Sequence, residues 1–350
     1  MKTLSTNMEK SGWKTFITAS LLALSLLVSI VIAGSQSQGT RLQDEPACQV
    51  LTPSAAGGPM PKDPSVIVLR WLGVTNFELA TRDVVILTDA YYERPAGMHP
   101  IGVKREDLKK VNAILVGHGH SDHISDADYI ARRTGAMVVG GPPSAEYLEK
   151  TGLSPKQITL VKGGETFEFN GFKVRAILGH HNTIPQEYQA NIMEARRLLG
   201  NAAPLTEEEK RLNAEINKRG TSDPRISDIG TIGYYFEFDS GYRMMYVDSP
   251  GPITPAQKEM MTRIPSIDLG ILPYTGGDMA VELTMEFVRL FKPGIVIPGH
   301  HDMFPGKLDM PTIPLFTAIR DEFPKTKTVA PLYRTPVCVN TVTKEVFVGQ

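Results

Sequence analysis

Short runs of β-branched and aliphatic residues, cut by turn residues, set the rhythm of the chain from Ser65 onward. "SVIVLRWLG" (Ser65–Gly73), "NFELAT" (Asn76–Thr81) and "VVILTDA" (Val84–Ala90) predict three strands in quick order. "LKKVNAILVGHGHSDH" moves from a short helix into an apolar strand, Ala113–Val116, and out into a polar loop. "SDADYIARRTG" (Ser125–Gly135) has a capping Ser or Asp at its head and Gly at its end, which predicts a helix. "AMVVGG" then reads as a strand and "SAEYLEKTG" as a helix.

The second half keeps this order without repeating the sequence. "GETFEFNGFKVRAILGHH" (Gly164–His181) predicts a hairpin around Asn170-Gly171, and "TIGYYFEFDSGYRMMYVDSP" (Thr231–Pro250) another that turns at Asp239–Gly241. "IDLGILPY" follows as strand, "AVELTMEFVRLFKPG" as helix and "IVIPGHHD" as strand and loop. Strands dominate, helices fall between some of them, and each half has its own sheet. The order fits an α/β chain folded as a four-layered αββα sandwich. Residues 185–228 break the rhythm, because "QEYQANIMEARRLLG" and "TEEEKRLNAEINKRG" are helical by pattern and highly charged. They read as an inserted helical hairpin, either a solvated decoration or a lid, since it starts four residues after His181. Met193, Leu198, Leu199 and Leu212 give it an apolar face, suited to a packing seam or to a lipid.

The N-terminus has a different texture. Lys2, Lys10 and Lys14 precede the apolar run Phe16–Ala33, and the polar "GSQSQGT" follows. This is the layout of a secretory signal with Val31 and Ala33 before the cut, or of an uncleaved anchor of roughly 18 residues. Residues 1–33 are thus a signal or anchor, 34–64 a linker rich in Pro, Ala and Gly, and 65–350 the domain. Either reading puts the domain outside the cytoplasm, exported or held at a membrane through residues 16–33. Cys48 and Cys338 either bridge in an oxidising compartment or stay unpaired as small hydrophobes. At 41% hydrophobic and 21% charged the composition is globular, and a formal net charge of −1 gives no reason to expect nucleic acid.

Histidine placement changes the picture most. Of 8 histidines, His99 sits in a turn, and the rest form three clusters: His118, His120 and His123; His180 and His181; His300 and His301. Each cluster lies in a loop leaving the C-terminal end of an apolar strand, where layered α/β folds place their sites. Imidazole and carboxylate bind Zn²⁺, Mn²⁺ or Fe²⁺ at neutral pH. In an extended loop residues two apart point the same way, so His118 and His120 can grip one ion, while Asp122 and His123 face a second. Gly117 and Gly119 leave the backbone free to bend between them.

HGHSDH resembles the HxHxDH motif of the metallo-β-lactamase superfamily, and the likeness runs from about Ser65 to Phe304. "RWLGVTNFEL" with "VVILTDAYY", "YYFEFDSGYRMMYVDS" and the closing "IDLGILPYTGGDMAVELTMEFVRLFKPGIVIPGHHD" are similar to the branch of ascorbate-6-phosphate lactonase. The resemblance implies two divalent ions. One would be held by His118, His120 and a third histidine, His181 by register, with His180 the alternative. The other would be held by Asp122, His123 and His300, with Asp248 bridging. His180 and His301 would stand behind the ligands or face substrate, and Asp89 would brace the ligand loop. Val247 before Asp248 and Ala90 after Asp89 depart from the usual pattern.

Such a pair of ions, Zn²⁺ or else Mn²⁺ or Fe²⁺, presents a shared hydroxide to an ester, lactone, amide or phosphodiester. Asp122 would accept a proton as the intermediate collapses. Keeping His120, where oxygen-reducing members carry glutamate, favours hydrolysis over redox chemistry. The substrate class is a small molecule or lipid, and a lactam antibiotic is disfavoured by the branch. Tyr274, Thr275, Gly276 and Gly277 follow a strand and either touch substrate or fill a loop. The competing class is a metal-binding protein of the same fold without catalysis.

Overall fold

The computed structural model describes residues 41–181, 205–275, 279–302 and 309–349. Strands β1 (Val66–Trp71), β2 (Phe77–Ala80), β3 (Val85–Thr88), β4 (Ala113–Leu115), β5 (Met137–Gly140) and β6 (Ile158–Leu160) build most of a first sheet. A second sheet takes β7 (Thr166–Phe169), β8 (Phe172–Leu178), β9 (Ile232–Phe238), β10 (Arg243–Tyr246), β11 (Leu269–Pro273), β12 (Ile295–Gly299) and β13 (Lys327–Thr328). The chain then returns to the first sheet with β14 (Pro336–Asn340) and β15 (Val346–Val348). Strand order is β15-β14-β1-β2-β3-β4-β5-β6 in one sheet and β13-β12-β11-β10-β9-β8-β7 in the other. The helices are α1 (Ser121–Ile124), α2 (Ala127–Thr134), α3 (Pro142–Lys150), α4 (Glu207–Asn217), α5 (Pro255–Arg263), α6 (Ala280–Phe291) and α7 (Ile313–Glu322).

The period of two along each strand decides what lies where. Ile67, Leu69 and Trp71 of β1 point between the sheets and share one core with Phe172, Val174, Tyr234 and Phe236 of the facing sheet. Their neighbours Val66 and Val68 face outward onto Leu42, Ala47, Cys48 and Cys338. Ile130 of α2 and Leu148 of α3 cover the rest of the first sheet's outer face, on Leu87, Ile114 and Val138. On the second sheet, Met260 of α5, Phe287 and Phe291 of α6 and Leu315 of α7 pack on Met245, Leu272 and Val296. Helices outside and two sheets inside make the αββα sandwich that the strand rhythm predicts.

Residues 41–64, read as part of a linker, are held against β1 and β2. The Arg70–Glu78 ion pair, 2.9 Å long and fully buried, fixes them. Glu78 also accepts the backbone N–H of Ser54 at 2.9 Å and of Ala55 at 2.7 Å, and Arg70 donates to the Ala47 carbonyl at 2.6 Å. A buried charge is tolerable when most of its hydrogen-bonding capacity is met in this way, although Arg70 Nε is left without an acceptor. Nearby, Cys48 and Cys338 form a disulfide.

The short helix expected before β4 is instead a single 3₁₀ turn, Arg105–Asp107, after which Lys109 and Lys110 donate to the Ala55 carbonyl. Of the two helices expected in the insertion, the second is α4, opened by a capping box between Thr206 and Glu209. The first, with Met193, Leu198 and Leu199, lies outside the described residues. Leu212 and Ile216 of α4 pack on Val74, Tyr91 and Met98, so Leu212 belongs to a seam. Among the described residues no helix is long and apolar enough to cross a membrane. The expected signal or anchor, residues 16–33, lies outside them.

Candidate metal centre

Parallel pairing of β3 with β4, and of β10 with β11 and β12, brings their C-terminal ends to matching edges. Asp89 follows β3, the HGHSDH stretch follows β4, Asp248 follows β10 and His300 follows β12. His181 arrives from β8. Their donor atoms form three groups: His118, His120 and His181; His118, His123 and Asp248; Asp122, His123 and His300. Within each, the donor atoms lie within 4.8 Å of one another. His118 and His123 are each in two groups, so the three make one continuous site.

HGHSDH is extended only as far as His120, with ψ 156°; residues 121–124 then coil into the single helical turn α1. His123 and Ile124 donate back to the His120 carbonyl at 3.0 and 3.1 Å. This corrects the expectation of an extended loop throughout: the turn, rather than strand alternation, swings Asp122 and His123 towards His300. The glycines also act differently from expectation. Neither takes a positive φ. A Cβ at Gly117 would lie 2.0 Å from Asp248 Oδ2, and one at Gly119 would lie 2.6 Å from Thr221 Cγ2, so both positions are empty to let neighbours in.

Asp89 occupies the left-handed region, φ 57°, and its carboxylate gathers four donors. Oδ1 accepts the Gly117 N–H at 2.8 Å. Oδ2 accepts Thr75 Oγ1 at 2.7 Å and Tyr246 OH at 2.5 Å, and lies 2.8 Å from His123 Nδ1. With Nδ1 engaged, His123 turns Nε2 into the site, 3.3 Å from His300 Nε2. His300 is also left-handed, φ 67°, and donates its N–H to the Val74 carbonyl at 2.7 Å. Val74 in turn donates to Asp302 Oδ1 at 2.8 Å, and Asp302 is gripped by Arg94 at 2.9 Å and Tyr333 OH at 2.6 Å. Thr75, Tyr246 and Asp302 lie inside the quoted segments and Arg94 and Tyr333 outside them, and none of the five was visible as functional in the sequence.

The remaining candidates sit apart from the donor groups. His301 stacks on Trp71, ring centroids 4.4 Å apart. His180 is half-buried with Nε2 3.6 Å from Asp228, so of the two adjacent histidines only His181 joins a donor group. Tyr274 is buried and its hydroxyl donates to the Pro311 carbonyl at 3.1 Å, which makes it a packing residue. Gly276 and Gly277 lie outside the described residues.

The electrostatics fit a cation. Asp248 Oδ1 is buried with no hydrogen-bond partner, while Oδ2 lies 2.5 Å from His118 Nδ1. His118 Nε2 faces His120 Nδ1 at 2.9 Å, two ring nitrogens aimed at one another. Burial, with the neighbouring imidazoles, holds His118 well below the ordinary histidine range and His181 down to about 2; burial also lowers His120 and His300. Their lone pairs are therefore free at neutral pH. Burial pushes the Asp248 carboxyl up to about 6. Asp122 stays well below its usual range despite burial, because His123, His300 and His118 surround it. Burial opposes charge on His123 too, yet Asp122 and Asp89 raise it above its usual value. A divalent ion would relieve the orphaned Asp248 oxygen and the facing nitrogens together.

The family model described as the β-lactamase superfamily domain matches residues 85–199, which span Asp89, the HGHSDH stretch and His181. Over that third of the chain the sequence is similar to the β-lactamase superfamily domain. A UPF0173 metal-dependent hydrolase of Thermoplasma acidophilum is 28% identical over 235 residues, covering 67% of this chain and 83% of the relative. Another from Agrobacterium fabrum is 24% identical over 241 residues, covering 68% and 86%. The fold is shared with Igni18, a metallo hydrolase from Ignicoccus hospitalis, at TM-score 0.52 and 16% identity over 78% of this chain and 98% of that one.

Proposed function

We propose that this chain is a metal-dependent hydrolase of the metallo-β-lactamase superfamily that uses two divalent ions to cleave an ester, lactone or phosphodiester. The observation that carries the reading is the chain of three donor groups linked through His118 and His123. His118, His120 and His181 would hold one ion, and Asp122, His123 and His300 the other, with Asp248 between them. Nitrogen and oxygen donors without sulfur suit zinc, manganese or iron. Such ions supply Lewis acidity and a water of lowered pKa. Asp122 Oδ2 lies 3.4 Å from His123 Nε2 and 3.5 Å from His300 Nε2 and keeps 14% exposure, so it can accept a proton at the mouth and return it to the leaving group. Asp89 holds His123 in its orientation throughout. The names of the relatives, metal-dependent hydrolases, support the reaction class.

The lactonase-like opening and closing segments favour a lactone or ester among the bonds, in a small molecule or lipid. Export through residues 1–33 is part of the proposal, and the Cys48–Cys338 bridge supports an oxidising compartment. Metal content of the wild type beside His118→Ala and Asp248→Ala, with turnover of a lactone and phosphodiester panel on the same samples, tests it. About two equivalents are expected in the wild type, with both metal and turnover falling in each variant. Wild-type protein that stays metal-free after incubation with Zn²⁺ and Mn²⁺ would end the proposal.

A further inference from the structure

The outer face of the second sheet is only partly covered. On β8, β9 and β10 its outward positions include Arg175, Ile177, Tyr235, Glu237, Arg243 and Met245, which follow from the register Arg175↔Tyr235, Arg243↔Glu237 and Met245↔Tyr235. Helix α5 lies over one end of this face, where Met260 shares a core with Ile177, Tyr235 and Met245. Beside it a cavity of about 460 Å³ remains. Its lining includes the apolar side chains Ile177, Leu178, Ala256, Met260 and Ile264. It also carries four cations, Lys162, Arg175, Arg243 and Arg263, against two carboxylates, Glu237 and Glu259.

Those charges do not neutralise one another. Glu259 pairs with Arg263 at 3.0 Å, one turn along α5. Glu237 sits directly opposite Arg243 in the β9–β10 register, yet no ion pair joins them, and Lys162 and Arg175 have no carboxylate partner among the described residues. Arg243 Nε is buried without a hydrogen-bond acceptor. Tyr235 is only 6% exposed, and its hydroxyl lies beside the Arg243 guanidinium without a hydrogen bond of normal geometry. Burial pushes that hydroxyl up to about 12, so it remains a donor at neutral pH. Unsatisfied buried donors are uncommon enough to require an explanation, and a missing acceptor is the direct one.

We infer that this cavity is a binding site for an oxyanion carried on an apolar body, with Arg175, Arg243 and the Tyr235 hydroxyl on the anion and the Ile177 and Met260 side chains on the body. The guanidinium forks and the phenol supply donors for a phosphate or carboxylate, and Lys162 adds charge at the rim. The site is separate from the metal centre, since none of its lining residues belongs to a donor group. It stands independently of the hydrolase reading.

The test is calorimetric titration of metal-loaded full-length protein with n-octyl phosphate, beside n-octanol and inorganic phosphate. Phosphate also suits a dinuclear centre, so the decisive comparison is between proteins. Arg175→Gln with Arg243→Gln is expected to weaken one octyl phosphate binding event about tenfold or more while metal content stays unchanged. Tyr235→Phe, which keeps the packing, is expected to weaken the same event several-fold. Isotherms that match in the wild type and the double variant would overturn the inference. So would octanol binding as tightly as octyl phosphate, which would remove the oxyanion, or an equally tight inorganic phosphate event that the double variant loses, which would remove the apolar body. Unchanged melting temperature in the Tyr235→Phe variant guards against loss of fold as the cause.

Discussion

Asp302 never touches the proposed ions, yet it holds the turn that holds His300. Burial opposes its charge, but Arg94 and the Tyr333 hydroxyl keep its carboxyl below the usual range. An acid depressed in the folded state adds stability above its ordinary pKa of about 3.9 and loses it as pH falls through the lower folded value. Asp302→Asn is therefore expected to cost about 3–5 kcal/mol near neutral pH, by leaving Arg94 buried and unpaired. The gap to wild type should close as pH drops below about 4, where the wild type also loses the charge. Urea denaturation across that range measures it, and a gap constant down to about pH 2 would mean that the charge of Asp302 contributes nothing. The donor residues were legible because the motif packs four of them into six consecutive positions. Their supports were not: Thr75 and Tyr246 stand 14 and 157 positions from Asp89 and meet it only through the pairing of strands. Local pattern carries first contacts along the chain and says nothing of partners brought in by the fold.

At the scale of elements, the insertion is fastened to the ligand loop. Thr221 donates to the Gly119 carbonyl at 2.7 Å, and a Cβ on Gly220 would lie 2.6 Å from the Ser121 nitrogen. Arg219 pairs with Glu93, which also takes Arg105 at 2.8 Å. Upstream, Asn213 Oδ1 accepts the Ala96 N–H at 2.7 Å. Gly220→Ala should push the backbone at Ser121 and so disturb α1, which carries Asp122 and His123. The expected outcome is metal affinity reduced about tenfold or more, measured by competition with a chelator, while helical content is retained. Affinity equal to wild type would show that the contact yields without moving the ligands. The helix itself was readable from "TEEEKRLNAEINKRG", whose capping Thr and Glu are local signals. Its docking was not, because a heavily charged surface surrounds the two residues that pack, Leu212 and Ile216. The turn α1 was hidden for a related reason: four residues are too few to show a helical period.

For the whole molecule, the succession of short apolar runs and turn residues, with helices between some of them, was enough to predict two sheets with helices outside. The disulfide was left open in the sequence because it depends on β14 lying beside β1. Once it does, Cys338 faces outward between Val337 and Val339 and meets Cys48. Cys48→Ser with Cys338→Ser is expected to lower stability by about 2–5 kcal/mol. Metal content should not change, because the bridge lies on the outer face, away from the donor groups. Denaturant titration beside metal analysis separates the two, and loss of metal with unchanged stability would reverse the assignment.

The β1–β14 pairing also bears on the order of events when the chain is made. The second sheet's strands stand in space in the order they occur in sequence, so it can assemble progressively as they emerge. The first sheet cannot. Its earliest strand pairs with a late one, Val66 opposite Asn340 through Arg70 opposite Pro336, so that flank stays open until β14 has been made. During that interval β1 presents an unpaired apolar edge, the kind of surface that recruits other chains. For this protein the vulnerable period is therefore set by translation of the residues between β1 and β14, and a ribosome stalled short of Pro336 would release a chain whose first sheet ends at β1.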